Sequence, residues 1–406
     1  MQKKHLFIIL LALFPVVFSL GQQDNAKLKK KALKIHDKIL SIDTHTDTPL
    51  RLTNPDFNIG ARNDPDKTHT KVDFPRMKEG RLDAVFFAVF LSQKERTPKG
   101  YEKAKQRALL LFNLIHEQVG RNSEQAQIAL SADDAYKIKK TGKRSVYIGI
   151  ENGYAIGKDT ALLSKYYDLG ARYITLCHSK DNDICGSSTD TSQFGVSDFG
   201  ETVIKKMNRM GYIIDVSHIS DSALYDVLEI SEAPVIASHS CVRSICSHPR
   251  NLSDSMLIAL AEHKGVIQIC FLADYLRYSP PNPEKEKALD SLRKKYNYFK
   301  DLTPEKRSQA SREWAAINDR YNTNPAAVED IVDHIDYVKN LVGIDYVGIG
   351  TDFDGGGAVK GCYDVSGMYK ITMELLRRGY SKKDIEKIWG GNFMRVFRAV
   401  EEYAGQ

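Results

Sequence analysis

This 406-residue chain has few cysteines, no recognisable linker and only a small excess of one charge over the other. Six cysteines are too few for a disulfide scaffold. We find no Gly/Ser-rich or Pro-rich linker and no repeated motif, which favours one folded domain over several. The 58 basic residues exceed the 52 acidic ones by only 6, and the basic residues are spread along the chain. Because they form no concentrated basic patch in the sequence, no nucleic-acid partner is expected. Because 42% of the residues are hydrophobic, the chain can still bury a core and is not intrinsically disordered.

The only long apolar run lies at the start of the chain. It covers Leu6–Leu20, follows Lys3 and Lys4, and is shorter than the roughly 20 residues that span a bilayer. This pattern predicts a cleaved signal peptide over residues 1–21 and a mature domain over 22–406 that is exported to the periplasm or secreted. The charged C-terminal end does not resemble a lipid-anchor signal, so no membrane anchor is expected.

Export would permit disulfide bonds. Six cysteines allow 15 full pairings, and the sequence does not choose among them. Cys177 and Cys270 lie inside strand-like runs, where buried free thiols are at least as good an explanation.

Eight short β-rich runs recur along the chain, each followed by a turn and a helical pattern. The predicted strands are Ile39–Asp47, Asp83–Leu91, Ser145–Glu151, Ala171–His178, Gly211–His218, Pro234–His239, Gly265–Phe271 and Tyr346–Asp352. The helical patterns between them include Tyr101–Val119, Ala161–Leu169, Asp198–Met210 and Ser222–Ile230. This alternation indicates βα units and therefore a parallel sheet.

Eight apolar strands that alternate with helices predict an α/β fold of the (β/α)8 TIM-barrel type. A doubly wound open sheet is the structural rival, but no Gly-rich phosphate loop follows the first strand. A barrel needs about 250 residues, so part of this chain must lie in insertions. The polar, helical pattern at 278–325 predicts an inserted helical segment between strands 7 and 8, serving as a lid, an oligomer contact or an inert surface.

Six of the eight predicted strands end in residues that can bind a metal or transfer a proton. These residues are His45 with Asp47, Glu151, His178, His218, His239 and Asp352. Because the C-terminal ends of barrel strands meet on one face, we expect these side chains to share a pocket. Each single histidine is better explained by packing or surface exposure. The joint placement of four of the eleven histidines is not, because buried imidazoles need partners.

Imidazole nitrogens and carboxylate oxygens, without placed thiolates, suit zinc or a similar divalent cation. His45 and Asp47 lie two apart on a strand, so both can bind one cation. Glu151 can bridge two metals, about 3.5–4 Å apart, that hold a hydroxide nucleophile and polarise a carbonyl. The pattern therefore predicts a metal-dependent hydrolytic site.

Six ordered motifs carry a resemblance to a known family. They are Asp43-Thr-His45-Thr-Asp47, Gly149-Ile-Glu151-Asn-Gly153, Asp215-Val-Ser-His218, Ser238-His239-Ser240, Pro249-Arg250-Asn251 and Gly350-Thr-Asp352-Phe-Asp354-Gly355. As a set, they resemble the membrane (renal-type) dipeptidases of peptidase family M19, the binuclear zinc branch of the amidohydrolase-like barrels. The resemblance implies a TIM barrel of the metal-dependent hydrolase type.

The resemblance also implies a set of metal ligands. His45 and Asp47 are similar to the ligands of the first zinc, and His218 and His239 to those of the second. Glu151 resembles the carboxylate that bridges the two Zn2+ ions of each chain.

Further residues are similar to the family's substrate-binding and proton-transfer groups. His178 resembles the histidine that stabilises the developing oxyanion, and Arg250 the group that binds the substrate's C-terminal carboxylate. Asp352 resembles the acid/base that protonates the leaving amine. Tyr275 lies at the spacing of a substrate-contacting tyrosine.

The sequence is interpreted as that of an exported zinc dipeptidase that hydrolyses dipeptides by attack of a metal-bridging hydroxide. The resemblance also allows a C-terminal D-residue in the substrate. Two alternatives stay open: another amidohydrolase-type amide hydrolase, acting on N-acyl amino acids or cyclic amides, and a non-catalytic binding protein on the same barrel. Dipeptides are the expected partners, and a homodimer is left open.

Four polar residues are not assigned a role in the site. His69, His116 and His248 have no strand-end placement and are expected on the surface. Asp354 is interpreted together with Gly355–Gly357 as forming the turn after the last strand.

Overall fold

Nine β-strands form one sheet that curves into a nearly closed barrel. The computed structural model describes residues 24–299, 302–321 and 325–405, so the predicted signal peptide lies outside the described residues. The strands are β1 (Ile42–Thr46), β2 (Ala84–Phe90), β3 (Ala126–Ile128), β4 (Arg144–Glu151), β5 (Ala171–Thr175), β6 (Ile213–Asp215), β7 (Ile236–Ser240), β8 (Val266–Ile269) and β9 (Val347–Ile349).

The barrel follows the strand order β1-β2-β4-β5-β6-β7-β8-β9, and every neighbouring pair is parallel. A parallel bridge between Thr46 and Phe353 joins the end of β1 to the segment after β9. The predicted (β/α)8 barrel is confirmed. β3 was not predicted, and it pairs with β4 off the barrel path.

The strands read as apolar runs because both of their faces are covered. In β2, every residue from Ala84 to Val89 is fully buried, and all eight residues of β4 except Arg144 are buried. Side chains that face the barrel interior and side chains that face the helices are therefore both apolar, which removes the alternation seen in half-exposed strands.

Helices connect the strands and cover the barrel. They are α1 (24–36), α2 (Pro65–Thr68), α3 (Phe74–Gly80), α4 (Pro98–Arg121), α5 (Ala132–Lys140), α6 (Ala161–Asp168), α7 (Asp198–Met210), α8 (Asp221–Ile230), α9 (Asp254–Glu262), α10 (Ala273–Leu276), α11 (Pro283–Lys295), α12 (Pro304–Tyr321), α13 (Val328–Val342), α14 (Tyr369–Arg377), α15 (Lys382–Glu386) and α16 (Asn392–Ala404). Ser197, Ser220 and Ser253 cap the N-termini of α7, α8 and α9 with their side-chain oxygens. Among the described helices, none is long and apolar enough to cross a membrane.

The predicted helical insertion is present between the seventh and eighth barrel strands, β8 and β9. It consists mainly of α11 and α12, which pack against each other around a small apolar cluster of their own. Leu292, Tyr296 and Ala310 are buried in this cluster, and Trp314 packs against it.

All six cysteines are buried as free thiols. Cys177 and Cys270 are fully buried within the main hydrophobic core. The structure therefore has free thiols, not disulfide bonds, at Cys177 and Cys270.

Candidate active site

Three of the predicted site residues lie on the barrel strands. His45 is in β1, Glu151 is the last residue of β4, and His239 is in β7. All three are at most 2% exposed. The parallel strands bring these side chains together at the C-terminal end of the barrel, as expected for a TIM-barrel site.

Three other predicted residues lie beyond the strand ends, so the predicted boundaries of those strands were wrong. His178, His218 and Asp352 follow the last residues of β5, β6 and β9 by three positions. His218 (φ 74°) and Asp352 (φ 57°) have left-handed backbone conformations. A left-handed residue cannot continue a strand, and such strained residues are concentrated at functional sites.

Glu151 lies at the centre of the histidine cluster. Its Oε1 is 3.1 Å from His218 Nε2 and 3.6 Å from the Nε2 atoms of His178 and His239, while its Oε2 is 3.4 Å from His45 Nε2. His218 Nε2 and His239 Nε2 are 2.9 Å apart, so both nitrogens are directed at one position. One carboxylate thus faces four imidazoles.

All five predicted metal ligands are brought together, along with His178 and Asp352. Their ligand atoms form three groups, each within 4.8 Å: His45–Glu151–His239, Glu151–His178–His218 and His45–Asp47–Asp352. These groups overlap at His45 and Glu151. They differ from the ligand pairs that the resemblance implies, because His239 is grouped with His45 and His218 with His178.

The residues of this cluster fit divalent metal cations. His45 Nε2, Asp47 Oδ1 and Glu151 Oε2 are buried and have no hydrogen-bond partner within the described part of the chain. Buried polar atoms normally have partners, so three buried polar atoms without a hydrogen-bond partner in one cluster indicate a ligand. Nitrogen and oxygen donors of this kind are typical of zinc and similar ions.

The carboxylates of the site are costly to ionise without a cation. Burial raises the pKa of Glu151 to about 8 and the pKa of Asp352 to about 7. Burial, followed by the nearby Glu151, raises the pKa of Asp47 well above its usual range. A bound cation would offset both the cost of burying these negative charges and the repulsion between them, and would favour the ionised carboxylates.

The imidazoles are held neutral. Burial lowers the pKa of His178 to about 3 and lowers the pKa values of His218 and His239 well below the usual range. Ser238 Oγ donates to Asp215 Oδ2 at 2.6 Å and lies 2.8 Å from His239 Nδ1. Because the serine proton is used on Asp215, Nδ1 of His239 must carry the proton, which leaves the Nε2 lone pair facing the site.

Two supporting contacts could not be located from the sequence. The Tyr173 hydroxyl lies 2.8 Å from His45 Nδ1 and orients that ring. Asp43 accepts hydrogen bonds from the backbone N–H (2.8 Å) and the hydroxyl (2.6 Å) of Thr351, and so joins β1 to the segment after β9. Asp43 was within a recognised motif without an assigned role, whereas Tyr173 resembled any other apolar strand residue.

Arg250 is a buried cation beside the metal-ligand cluster. It is 3% exposed, its Nη2 donates to the His239 carbonyl at 3.0 Å, and its Nη1 lies 3.4 Å from Ser240 Oγ. Its Nε has no hydrogen-bond partner within the described residues. Its charge opposes the rise in the pKa values of Glu151 and Asp352, although neither carboxylate is in direct contact with it. The ring centre of Tyr275 lies 5.4 Å from the guanidinium carbon. A buried guanidinium that forms no direct ion pair with a described residue is suited to binding a carboxylate from outside the protein.

A cavity of about 1110 Å³ lies next to the site. On the barrel side its lining includes Gly355, whose neighbours are the site carboxylates, and His248. On the other side it is lined by Tyr278, Leu289 and Trp314 of the insertion. The insertion is therefore a wall of the cavity.

The structure corrects the interpretation of two histidines. His69 and His248, which were expected on the surface, both line the cavity. His116 is exposed on α4, as expected, with its Nε2 2.8 Å from the Leu169 carbonyl.

Asp354 does more than form a turn. It has a left-handed backbone (φ 68°), and its carboxylate accepts hydrogen bonds from Thr48 Oγ1 and the Lys71 backbone N–H, each at 2.8 Å. Thr70 Oγ1 donates to it at 3.3 Å. Asp354 therefore ties the loop after β9 to the segments that follow β1.

Gly355 allows the two aspartates of the site to approach the backbone. A Cβ atom there would lie 2.2 Å from Asp352 Oδ1 and 2.2 Å from Asp47 Oδ2. Because both carboxylates would have to move, we expect Gly355→Ala to lower kcat/KM and metal affinity by about 10- to 100-fold, measured by steady-state kinetics and metal titration. Gly120→Ala is the matched control, since a Cβ there meets nothing within 4 Å. Equal activities of the two variants would contradict this reading of Gly355.

Comparisons with known proteins agree with the fold and with the family that the sequence resembles. The model of the membrane dipeptidase family (peptidase family M19) matches residues 29–406. Dipeptidase tcpJ of Claviceps purpurea is 31% identical over 361 residues, which are 86% of this chain and 74% of that protein.

Two solved structures are also similar to this chain. The probable dipeptidase PvdM of Pseudomonas aeruginosa superposes with a TM-score of 0.80 at 30% identity and covers 93% of this chain and 100% of its own. A metallopeptidase of Rhodobacter sphaeroides, liganded with a phosphinate mimic of L-Ala-D-Ala, shares the fold with a TM-score of 0.72 at 22% identity, covering 89% of this chain and 99% of its own. This chain belongs to the membrane dipeptidase family, peptidase family M19.

Proposed function

We propose that this protein is an exported zinc dipeptidase that binds two Zn2+ ions and hydrolyses the peptide bond of dipeptides. The observation that carries the proposal is the position of Glu151, whose two carboxylate oxygens face His45 on one side and His218 with His239 on the other. A carboxylate placed in this way can serve two metal positions at once. Export rests on the predicted signal peptide, and a homodimer stays a prediction.

The ligand set is the one that the family resemblance implies. It is supported by the 2.9 Å distance between His218 Nε2 and His239 Nε2, and by the grouping of His45 with Asp47. His45 and Asp47 would hold one ion, His218 and His239 the other, and Glu151 both. When bound, such ions polarise the substrate carbonyl and lower the pKa of water at the site. The lowered pKa values of the histidines favour this role, because neutral imidazoles keep the lone pairs that bind metals.

Arg250 fixes the substrate. The free carboxylate of a dipeptide can accept from its unpartnered Nε and neutralise a cation that no described protein carboxylate pairs with. A tripeptide would place a peptide bond where a dipeptide has its free carboxylate. Arg250 therefore favours dipeptides over longer peptides.

His178 and Asp352 handle charge and protons at the reacting bond. The Ser179 hydroxyl lies 2.8 Å from His178 Nδ1, and when it donates there, the proton of the neutral ring is on Nε2, where it can donate to a developing oxyanion. The pKa of Asp352, raised to about 7, suits a group that accepts a proton and then passes it to the leaving amine.

A substrate panel tests the proposal. We expect zinc-loaded protein to cleave L,L-dipeptides, tripeptides to be cleaved poorly, and a chelator to abolish activity until zinc is restored. The panel includes L,D-dipeptides, because the family resemblance allows a C-terminal D-residue. N-acyl amino acids and cyclic amides represent the alternative hydrolase. Cleavage of those compounds in place of dipeptides, or binding without any turnover, would contradict the proposal.

A further inference from the structure

His248 lies next to Arg250, which is predicted to bind the substrate's carboxylate, and next to Tyr275, which is predicted to contact the substrate. The backbone N–H of Arg250 donates to His248 Nδ1 at 3.1 Å. The rings of His248 and Tyr275 are 4.6 Å apart, and the Arg250 guanidinium lies over the same tyrosine. His248 is thus fixed by contacts with both neighbours.

These contacts determine which ring nitrogen of His248 can bind a ligand. Because Nδ1 accepts the Arg250 N–H, the ring proton of neutral His248 is on Nε2. Burial and the charge of Arg250 lower the pKa of His248, which favours this neutral form. Among the described residues, none accepts a hydrogen bond from Nε2, and His248 lines the cavity beside the site.

The geometry assigns His248 as a specificity-determining residue that donates a hydrogen bond from Nε2 to the substrate's C-terminal carboxylate, alongside Arg250. This inference rests on the proposed dipeptidase activity. The Arg250 guanidinium supplies a positive charge, and the neutral His248 imidazole supplies one more hydrogen-bond donor without a second positive charge. The pair would therefore discriminate a free carboxylate from an amide more strongly than Arg250 alone.

His248→Asn separates the binding role from a structural one. An asparagine side-chain oxygen can still accept the N–H two residues later, as in an Asx turn, so the contact with Arg250 is kept while the Nε2 donor is lost. We expect the KM for dipeptides to rise about tenfold, the loss of one hydrogen bond to a charged group, with kcat little changed. For the matching dipeptide amides, KM (or Ki where they are not cleaved) should be the same for wild type and variant.

Controls keep the inference falsifiable. His248→Gln, whose amide N–H can reach towards the cavity, should recover part of the affinity, and exposed His116→Asn should behave as wild type. Thermal unfolding of each variant checks that the barrel is intact. If wild type cleaves dipeptides but His248→Asn has an unchanged KM, or weakens amides equally, the inference is wrong and the proposed function stands. A wild type that cleaves no dipeptide overturns both.

Discussion

Glu151→Gln is expected to abolish dipeptide hydrolysis, lowering kcat/KM by on the order of 10³-fold or more, since a bound metal contributes several kcal/mol of transition-state stabilisation. The amide keeps the shape of the side chain but loses the charge and one of the two acceptor oxygens that face His45 and His218. The zinc content of purified protein, measured by elemental analysis, should fall with the activity. Exposed Glu124→Gln is the matched control. Normal turnover with two bound zinc ions would show that the bridging assignment is wrong.

The same substitution should have the opposite effect on the metal-free fold. Burial raises the pKa of Glu151 to about 8, above its ordinary value of 4.5, so between these pH values the folded state binds more protons than the unfolded state. The free energy of unfolding of metal-free protein must therefore fall as pH rises through this window. Glutamine cannot ionise and avoids this loss.

Thermal unfolding in chelator at pH 5 and pH 8 measures this effect. We expect metal-free Glu151→Gln to melt above metal-free wild type at pH 8, with a smaller difference at pH 5. Zinc should stabilise wild type strongly and the variant weakly, because only wild type keeps the ligand set. A lower melting temperature for the variant at pH 8 would mean that Glu151 is ionised and stabilised by other groups even without metal.

The barrel and most of the site were predictable because they depend on local pattern. Strands buried on both faces give apolar runs, and parallel strands must converge at their C-terminal ends, so His45, Glu151 and His239 could be placed together from the sequence. β3 was missed because three residues, with only Ala126 buried, give no periodic signal.

The strand ends were harder to predict. His218 and Asp352 adopt left-handed conformations without glycine, and no residue pattern signals such a turn. The strain at these positions is maintained by tertiary contacts, such as the donation of the Asp352 N–H to the His45 carbonyl at 3.0 Å. Those contacts join residues that are far apart in the sequence.

The surroundings of the His248 side chain could not be predicted from the sequence either. Beside Arg250 it reads as a polar loop residue, and only the packing of Tyr275, which comes later in the chain, reveals its half-buried position. For Asp215 and Ser238 the signal was present, since both stand in recognised motifs. Their role became visible only once the hydrogen bonds from Asp215 through Ser238 to His239 were located.

Asp352→Asn is expected to lower kcat by about 10²- to 10⁴-fold, the usual contribution of a general acid/base, with a much smaller change in KM. Asparagine fills the same space but cannot accept and return a proton. In wild type, ionisation of Asp352 should appear as a rise in activity with pH on the acidic side of the profile, because the carboxylate must first accept a proton. The variant should lack this rise.

Asp354→Asn is the natural comparison, because Asp354 lies two residues away and holds loops together through Thr48 and Lys71. It should lower the melting temperature more than Asp352→Asn does, whereas Asp352→Asn should reduce kcat far more. The burial that raises the pKa of Asp352 to about 7 also makes its charge costly in the metal-free fold, so removing that charge should not destabilise the barrel. Wild-type kcat with an unchanged acidic side of the pH profile in Asp352→Asn would assign proton transfer to another group.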